Sequence, residues 1–145
     1  MIVRKIYILV VLLAVMGGRA NITLAEEVGF VVIAHPSVPV DQLSKKDLKR
    51  VYTKELTSWS DGTQIYPIEN SGAAKAKFIR EIIGQNENEN KSYWINQTMT
   101  TGKRPPKSFG MPVLILNYVT KTPGAIGYIK AGSNLNTFVK LVTIE

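Results

Sequence analysis

Between Val28 and Ile144, short β-branched runs alternate with capped, amphipathic segments. Each such segment has one face to bury, and an alternation of this kind closes as an α/β domain around a sheet with at least one parallel crossover. The run Val28 to Ala34 (VGFVVIA) reads as a buried strand ending at His35-Pro36. Ser44 is placed to cap a helix reaching about Tyr52, with Asp47 closing a capping box and Leu43 and Leu48 forming a hydrophobic staple. Trp59-Ser60-Asp61-Gly62 is a turn signal, and Gln64 to Ile68 reads as a short strand. Asn70-Ser71 then caps a helix that carries Phe78, Ile79, Ile82 and Ile83 and stops at Gly84.

The polar stretch Asn86 to Asn90 (NENEN) reads as a surface loop, followed by a helix over Lys91 to Met99. Gly102 to Lys107 reads as an extended basic loop. Pro112 suits the first turn of a further helix, and Val113 to Val119 is apolar on nearly every side, which implies burial. Ala125 to Lys130 and Phe138 to Ile144 complete the pattern as strands, separated by a turn at Gly132-Ser133-Asn134.

The first residues follow a different logic. Arg4 and Lys5 precede an uncharged apolar run from Ile6 to Met16, and Thr23-Leu24-Ala25 offers a small-x-small site before Glu26-Glu27. This is the layout of a secretory signal peptide, with cleavage after Ala20 as the alternative. An uncleaved anchor is the competing reading, but a spanning helix needs roughly 20 apolar residues and this run is nearer half that. The expected organisation is therefore a signal peptide over 1–25 and one domain over 26–145, periplasmic and free of the membrane after cleavage. With no cysteine in the chain, neither disulfides nor lipidation at a thiol can hold it, and packing must do so.

The chain has 18 basic and 11 acidic residues, a formal +7, and removal of Arg4, Lys5 and Arg19 with the leader reduces that to +4. The remaining bases are scattered and do not interleave with aromatics, which argues against nucleic acid. A mild positive field suits a small oxyanion or an acidic partner surface.

Three segments carry a family resemblance: the helix ending in Val51-Tyr52 with Trp59-Ser60-Asp61-Gly62, the stretch from Ile65 to Phe78 containing Pro67 and Ser71-Gly72, and Tyr118 to Ile129 (YVTKTPGAIGYI). In these the chain resembles the substrate-binding proteins of phosphate ABC transporters, of the type II periplasmic-binding fold. The resemblance implies a single lobe with a mixed sheet flanked by helices, since a full member is roughly twice this length. It also implies a half-site for phosphate or another small oxyanion at Glu69, Asn70, Ser71, Gly72 and Ala73. The family's acid falls on Glu69 and its Ser-Gly is kept, while its arginine falls on Pro67 and its threonine on Ala73.

Read from the residues alone, Ser71 to Ala74 would open a helix with small side chains and no acid in the first turn, so that backbone N–H groups face an anion. An ordinary capped helix is the alternative. Glu69 is either an acceptor toward a protonated oxyanion or a surface carboxylate near Lys75. Lys103, Arg104 and Lys107 form either a basic lip or a solvated loop. His35 is the sole histidine, so no multi-histidine metal site exists and no cofactor is expected; Trp59, Tyr93 and Trp94 suit a core. No nucleophile motif or carboxylate pair argues for an enzyme. The competing expectation is an interaction domain that has lost its ligand and docks on an envelope protein, or on a second copy of itself. Export is checked by intact mass: protein recovered from the periplasm should begin at Glu26, whereas full-length chain retained in membranes would identify an anchor.

Overall fold

The computed structural model describes residues 28–136 and 138–145, so the expected signal peptide lies outside the described residues. Six strands form one mixed sheet: β1 (Phe30–Ala34), β2 (Gln42–Leu43), β3 (Tyr66–Asn70), β4 (Lys107–Phe109), β5 (Ala125–Lys130) and β6 (Lys140–Ile144). Their spatial order is β2-β6-β1-β5-β3-β4. β1 runs antiparallel to both β5 and β6, while β3 is parallel to β5 and β4, and β2 is parallel to β6. The helices are α1 (Lys45–Tyr52), α2 (Lys75–Phe78), α3 (Glu87–Thr101) and α4 (Pro112–Lys121). The expected α/β class and parallel crossover are both present.

Two apolar layers flank the sheet. On one face α1, α2 and the turn that continues α2 pack over Val32, Ala34, Ile126, Tyr128 and Val142. On the other, α4 lays Ile115, Leu116 and Val119 against Ile33, Ile68, Ala125 and Ile129. The first layer centres on three rings. Phe78 and Tyr128 stack at 3.7 Å with their planes 4° apart, and Tyr52 meets Phe78 edge-on at 4.7 Å. The phenol of Tyr52 donates to the Ile68 carbonyl at 2.9 Å and that of Tyr128 to the Asn70 carbonyl at 3.2 Å. Both buried hydroxyls are thus paired, and both grip the C-terminal half of β3.

Local signals with a single physical cause hold. The Ser44 hydroxyl accepts from the Asp47 N–H at 3.0 Å, and Leu43 and Leu48 share the core. The Asp47 carboxylate bonds Arg50 at 3.2 Å, and the helix start shows the Ser44 cap without the reciprocal half of the box. Gly84 ends the second helical segment in a left-handed conformation at φ 79°. That segment is α2 followed by one π turn over Ile79–Ile83, which turns Ile79, Ile82 and Ile83 all inward.

Several expectations are corrected. β1 starts at Phe30 and β6 at Lys140, each two residues later than expected. β3 covers Tyr66–Asn70 rather than Gln64 to Ile68, so Asn70 belongs to the sheet. The NENEN stretch is not a loop: Asn86 caps α3 with Glu89 in a reciprocal capping box, and the helix runs from Glu87 to Thr101. The basic segment yields an edge strand, because Lys107–Phe109 pairs with Ile68–Asn70. On α4, Val113 and Leu114 are exposed rather than buried, since the helix rests on the sheet through one face only.

The ring stack makes a stability prediction. Phe78→Ala should cost about 3–5 kcal/mol by opening a cavity. Tyr128→Phe should cost about 1 kcal/mol by leaving the Asn70 carbonyl without its donor. Urea denaturation with an unchanged slope checks both.

Candidate functional site

The sequence-derived site residues do come together, on a turn at the C-terminal end of β3, where ligands of open α/β sheets lie. The turn does not open a helix in the expected way. α2 begins at Lys75, and Ala74 before it offers no side-chain cap. The cause is Asn70, whose Oδ1 accepts the Gly72 N–H at 2.7 Å and reverses the chain before any helical turn can form. The Ser71 N–H is also engaged, donating to the Phe109 carbonyl at 3.0 Å. Gly72 sits against the strand that follows α3, where an added Cβ would lie 2.8 Å from the Gly110 carbonyl oxygen. A side chain here would force the backbone apart, so the close approach suits glycine.

Of the five residues, Asn70 is buried and shapes the turn, Gly72 lets it close, and Ser71 and Ala73 are exposed. Among the described residues the N–H groups of Ala73 and Ala74 make no hydrogen bond, although Ala74 is buried. The turn thus offers a hydroxyl and the Ala73 N–H to solvent, fewer donors than a full helix N-terminus.

Glu69 is not a surface carboxylate. Its side chain is 13% exposed and lies 3.5 Å from the Lys75 Nζ, itself 28% exposed. Burial raises the Glu69 pKa above the usual glutamate value, and the nearby Lys75 ammonium partly offsets that rise. The sequence set Lys75 near Glu69 without making it a site residue, and the folded chain brings the two within 3.5 Å. Pro67 stands on β3 with no charge to offer, so Lys75 is the cation nearest to Glu69 that the structure pairs with it.

The other candidates fall elsewhere. His35 bonds the Ser37 hydroxyl through Nδ1 at 2.7 Å, a local loop contact. Trp59 is buried and donates from its indole to the Gly124 carbonyl at 2.9 Å. Lys103 and Arg104 are exposed on the loop before β4, and the Lys107 ammonium lies over the Tyr118 ring at 4.9 Å. Among the described residues no group of three His, Asp or Glu side chains is placed to hold a metal, and no helix is long and apolar enough to cross a membrane.

The model of one protein family, described as PBP superfamily domain, matches residues 27–143. The chain belongs to this family. No curated protein matches it significantly. Among solved structures, the PBP domain is similar to PstS from Borrelia burgdorferi, with a TM-score of 0.63 at 13% identity over 81% of this chain and 47% of that one. It is similar to an ABC-type phosphate transport receptor from Vibrio cholerae, with a TM-score of 0.59 at 15% identity over 81% and 46%. It is also similar to a putative phosphate ABC transporter substrate-binding protein with bound phosphate from Clostridium perfringens, with a TM-score of 0.59 at 22% identity over 81% and 45%. The PBP domain thus spans less than half the length of these proteins and matches roughly one lobe of them.

Because the folded state raises the Glu69 pKa, folding binds its proton more tightly than the unfolded chain does, and the ionised carboxylate destabilises the fold. Glu69→Gln should therefore be more stable than wild type at neutral pH. The difference should shrink as pH falls toward the ordinary glutamate value of 4.5. Urea midpoints measured at neutral and acid pH check the sign.

Proposed function

We propose that this PBP domain is an exported binding module that holds a small oxyanion such as phosphate weakly at the turn Asn70 to Ala74. The carrying observation is that Ser71 and Ala73 are exposed at the C-terminal end of a parallel strand, with the Ala73 N–H unengaged among the described residues. The bound phosphate named for the Clostridium perfringens relative supports an oxyanion as the ligand class. Under this reading Ser71 and Ala73 donate, Asn70 and Gly72 fix the turn, and Glu69 holds Lys75 beside it. The reading is one of binding in the periplasm, alongside a transporter, and includes no bond-breaking step.

Weak affinity follows from the geometry. A single lobe leaves the anion partly in water, where its charge is screened. Pro67 supplies no guanidinium fork, and an anion must compete with Glu69 for Lys75. A second reading, docking on another envelope protein or on a second copy of the chain, is favoured by exposed apolar side chains at Met99, Met111 and Val113.

Phosphate titration followed by amide NMR tests the oxyanion reading. The Ser71 and Ala73 signals should move first, with a dissociation constant on the order of a millimolar. The shifts should fade with added salt and vanish in Ser71→Asp. Movement confined to distant amides would remove the turn from consideration.

A further inference from the structure

A groove of about 520 Å³ lies beside the turn and runs along α3. Glu69 and Asn90 line one end of it, and Trp94, Ile95, Met99 and Pro105 line the other. The α3 lining reaches from Glu87 to Met99, which at 1.5 Å per residue is about 18 Å of open trough. An extended chain of five or six residues covers about that length at 3.3 Å per residue.

The far wall is apolar and poorly covered. Met99 is 82% exposed and Ile95 is 52% exposed, although both belong to a groove with the buried Trp94 at its base. The charges around this end share one sign. Lys103 and Arg104 stand exposed on the loop that supplies Pro105, while Lys91 lines the groove beside Asn90, toward the other end. None of these three forms an ion pair among the described residues. Lys54 reaches the same loop, where its Nζ donates to the Pro105 carbonyl at 3.5 Å. The acids of the neighbourhood lie elsewhere: Glu69 is held by Lys75, Glu87 lines the opposite end, and Glu55 faces Tyr93 outside the groove lining.

We propose that the groove along α3 docks an extended segment of a partner protein, one that carries an exposed apolar side chain flanked by aspartate or glutamate. The apolar side chain seats on Trp94, Ile95, Met99 and Pro105, and the carboxylates meet Lys103 and Arg104. Charge complementarity selects an acidic segment over a basic one. Concavity selects a chain over a bilayer, because a flat anionic surface cannot reach Trp94 at the base of the groove. Openness along the whole length selects a chain over a small enclosed ligand. The proposal does not depend on oxyanion binding at the turn; it gives the docking reading a surface.

Random peptides displayed on phage and panned on the exported protein test it. The enriched sequences should share an aromatic or aliphatic residue next to acids. A synthetic peptide of the consensus, followed by fluorescence anisotropy, should lose about tenfold in affinity with Met99→Asp and again with Arg104→Glu. Binding should weaken as salt rises and stay unchanged in Ser71→Asp, which separates this site from the turn. Both groove substitutions lie on exposed side chains, so the fold is kept. A basic or charge-free consensus, no enrichment over bare support, or wild-type affinity in both variants would overturn the proposal. So would binding of phosphatidylglycerol vesicles in place of peptide, or self-association of the chain through the groove.

Discussion

The stack of Phe78 on Tyr128, closed from the side by Tyr52, joins three elements far apart in sequence: α2, β5 and α1. Its apolar area holds one face of the sheet together, and its two hydroxyls do something more specific. They donate to the carbonyls of Ile68 and Asn70, the last part of β3 before the turn. Burial above all, with the carboxylate of Glu69 and, for Tyr52, the neighbouring Tyr128 phenol, keeps both phenols well above their ordinary pKa. They therefore remain neutral donors throughout the physiological range. The end of β3 is fixed from beneath by hydrogen bonds that pH does not switch, and every feature of the turn starts from that fixed end.

Features written in a few adjacent residues were legible. Ser44 before a helix, Gly84 after one and Pro112 at the first position of another each act through a single backbone group, and each does what its chemistry dictates. The family likeness likewise located β3, α2 and β5, because Ile65 to Phe78 and Tyr118 to Ile129 are continuous segments. The errors arose where a second segment decides. Lys107–Phe109 is a strand only because β3 offers it an open edge, and no three-residue pattern announces that. Asn70 is equally suited to cap a helix or to close a turn, and its place in the ladder opposite Phe109 chose the turn. The misread NENEN stretch is a different failure: Asn86 and Glu89 carry a capping-box spacing that polarity concealed. The groove was invisible for the reason β4 was, since it joins α3 to residues near the end of β3 and to Pro105.

What a turn of this kind can do depends on what encloses it. In a two-lobed protein a closing cleft excludes water and strengthens every charge-assisted bond to an anion. The PBP domain covers less than half the length of such proteins and keeps the turn while offering Pro67 where the resemblance places an arginine. Exposed apolar residues on α3 and at the start of α4 are surfaces that a second body would cover.

The Glu69–Lys75 pair lies between these two possibilities. Lys75 opens α2 immediately after the turn, and Glu69 lines the groove, so one ion pair borders both surfaces. Its separation of 3.5 Å is loose for a charge-assisted bond, and neither group is fully buried. An anion at the turn would draw on Lys75 and leave Glu69 less compensated, which would raise the cost of holding that carboxylate ionised. An acidic segment in the groove would meet Glu69 as a like charge and be pushed toward the Met99 end, beside Lys103 and Arg104. The same pair that would weaken an oxyanion at the turn would therefore orient a segment in the groove, with acids kept to the Met99 end and the Glu69 end left to neutral or donor groups.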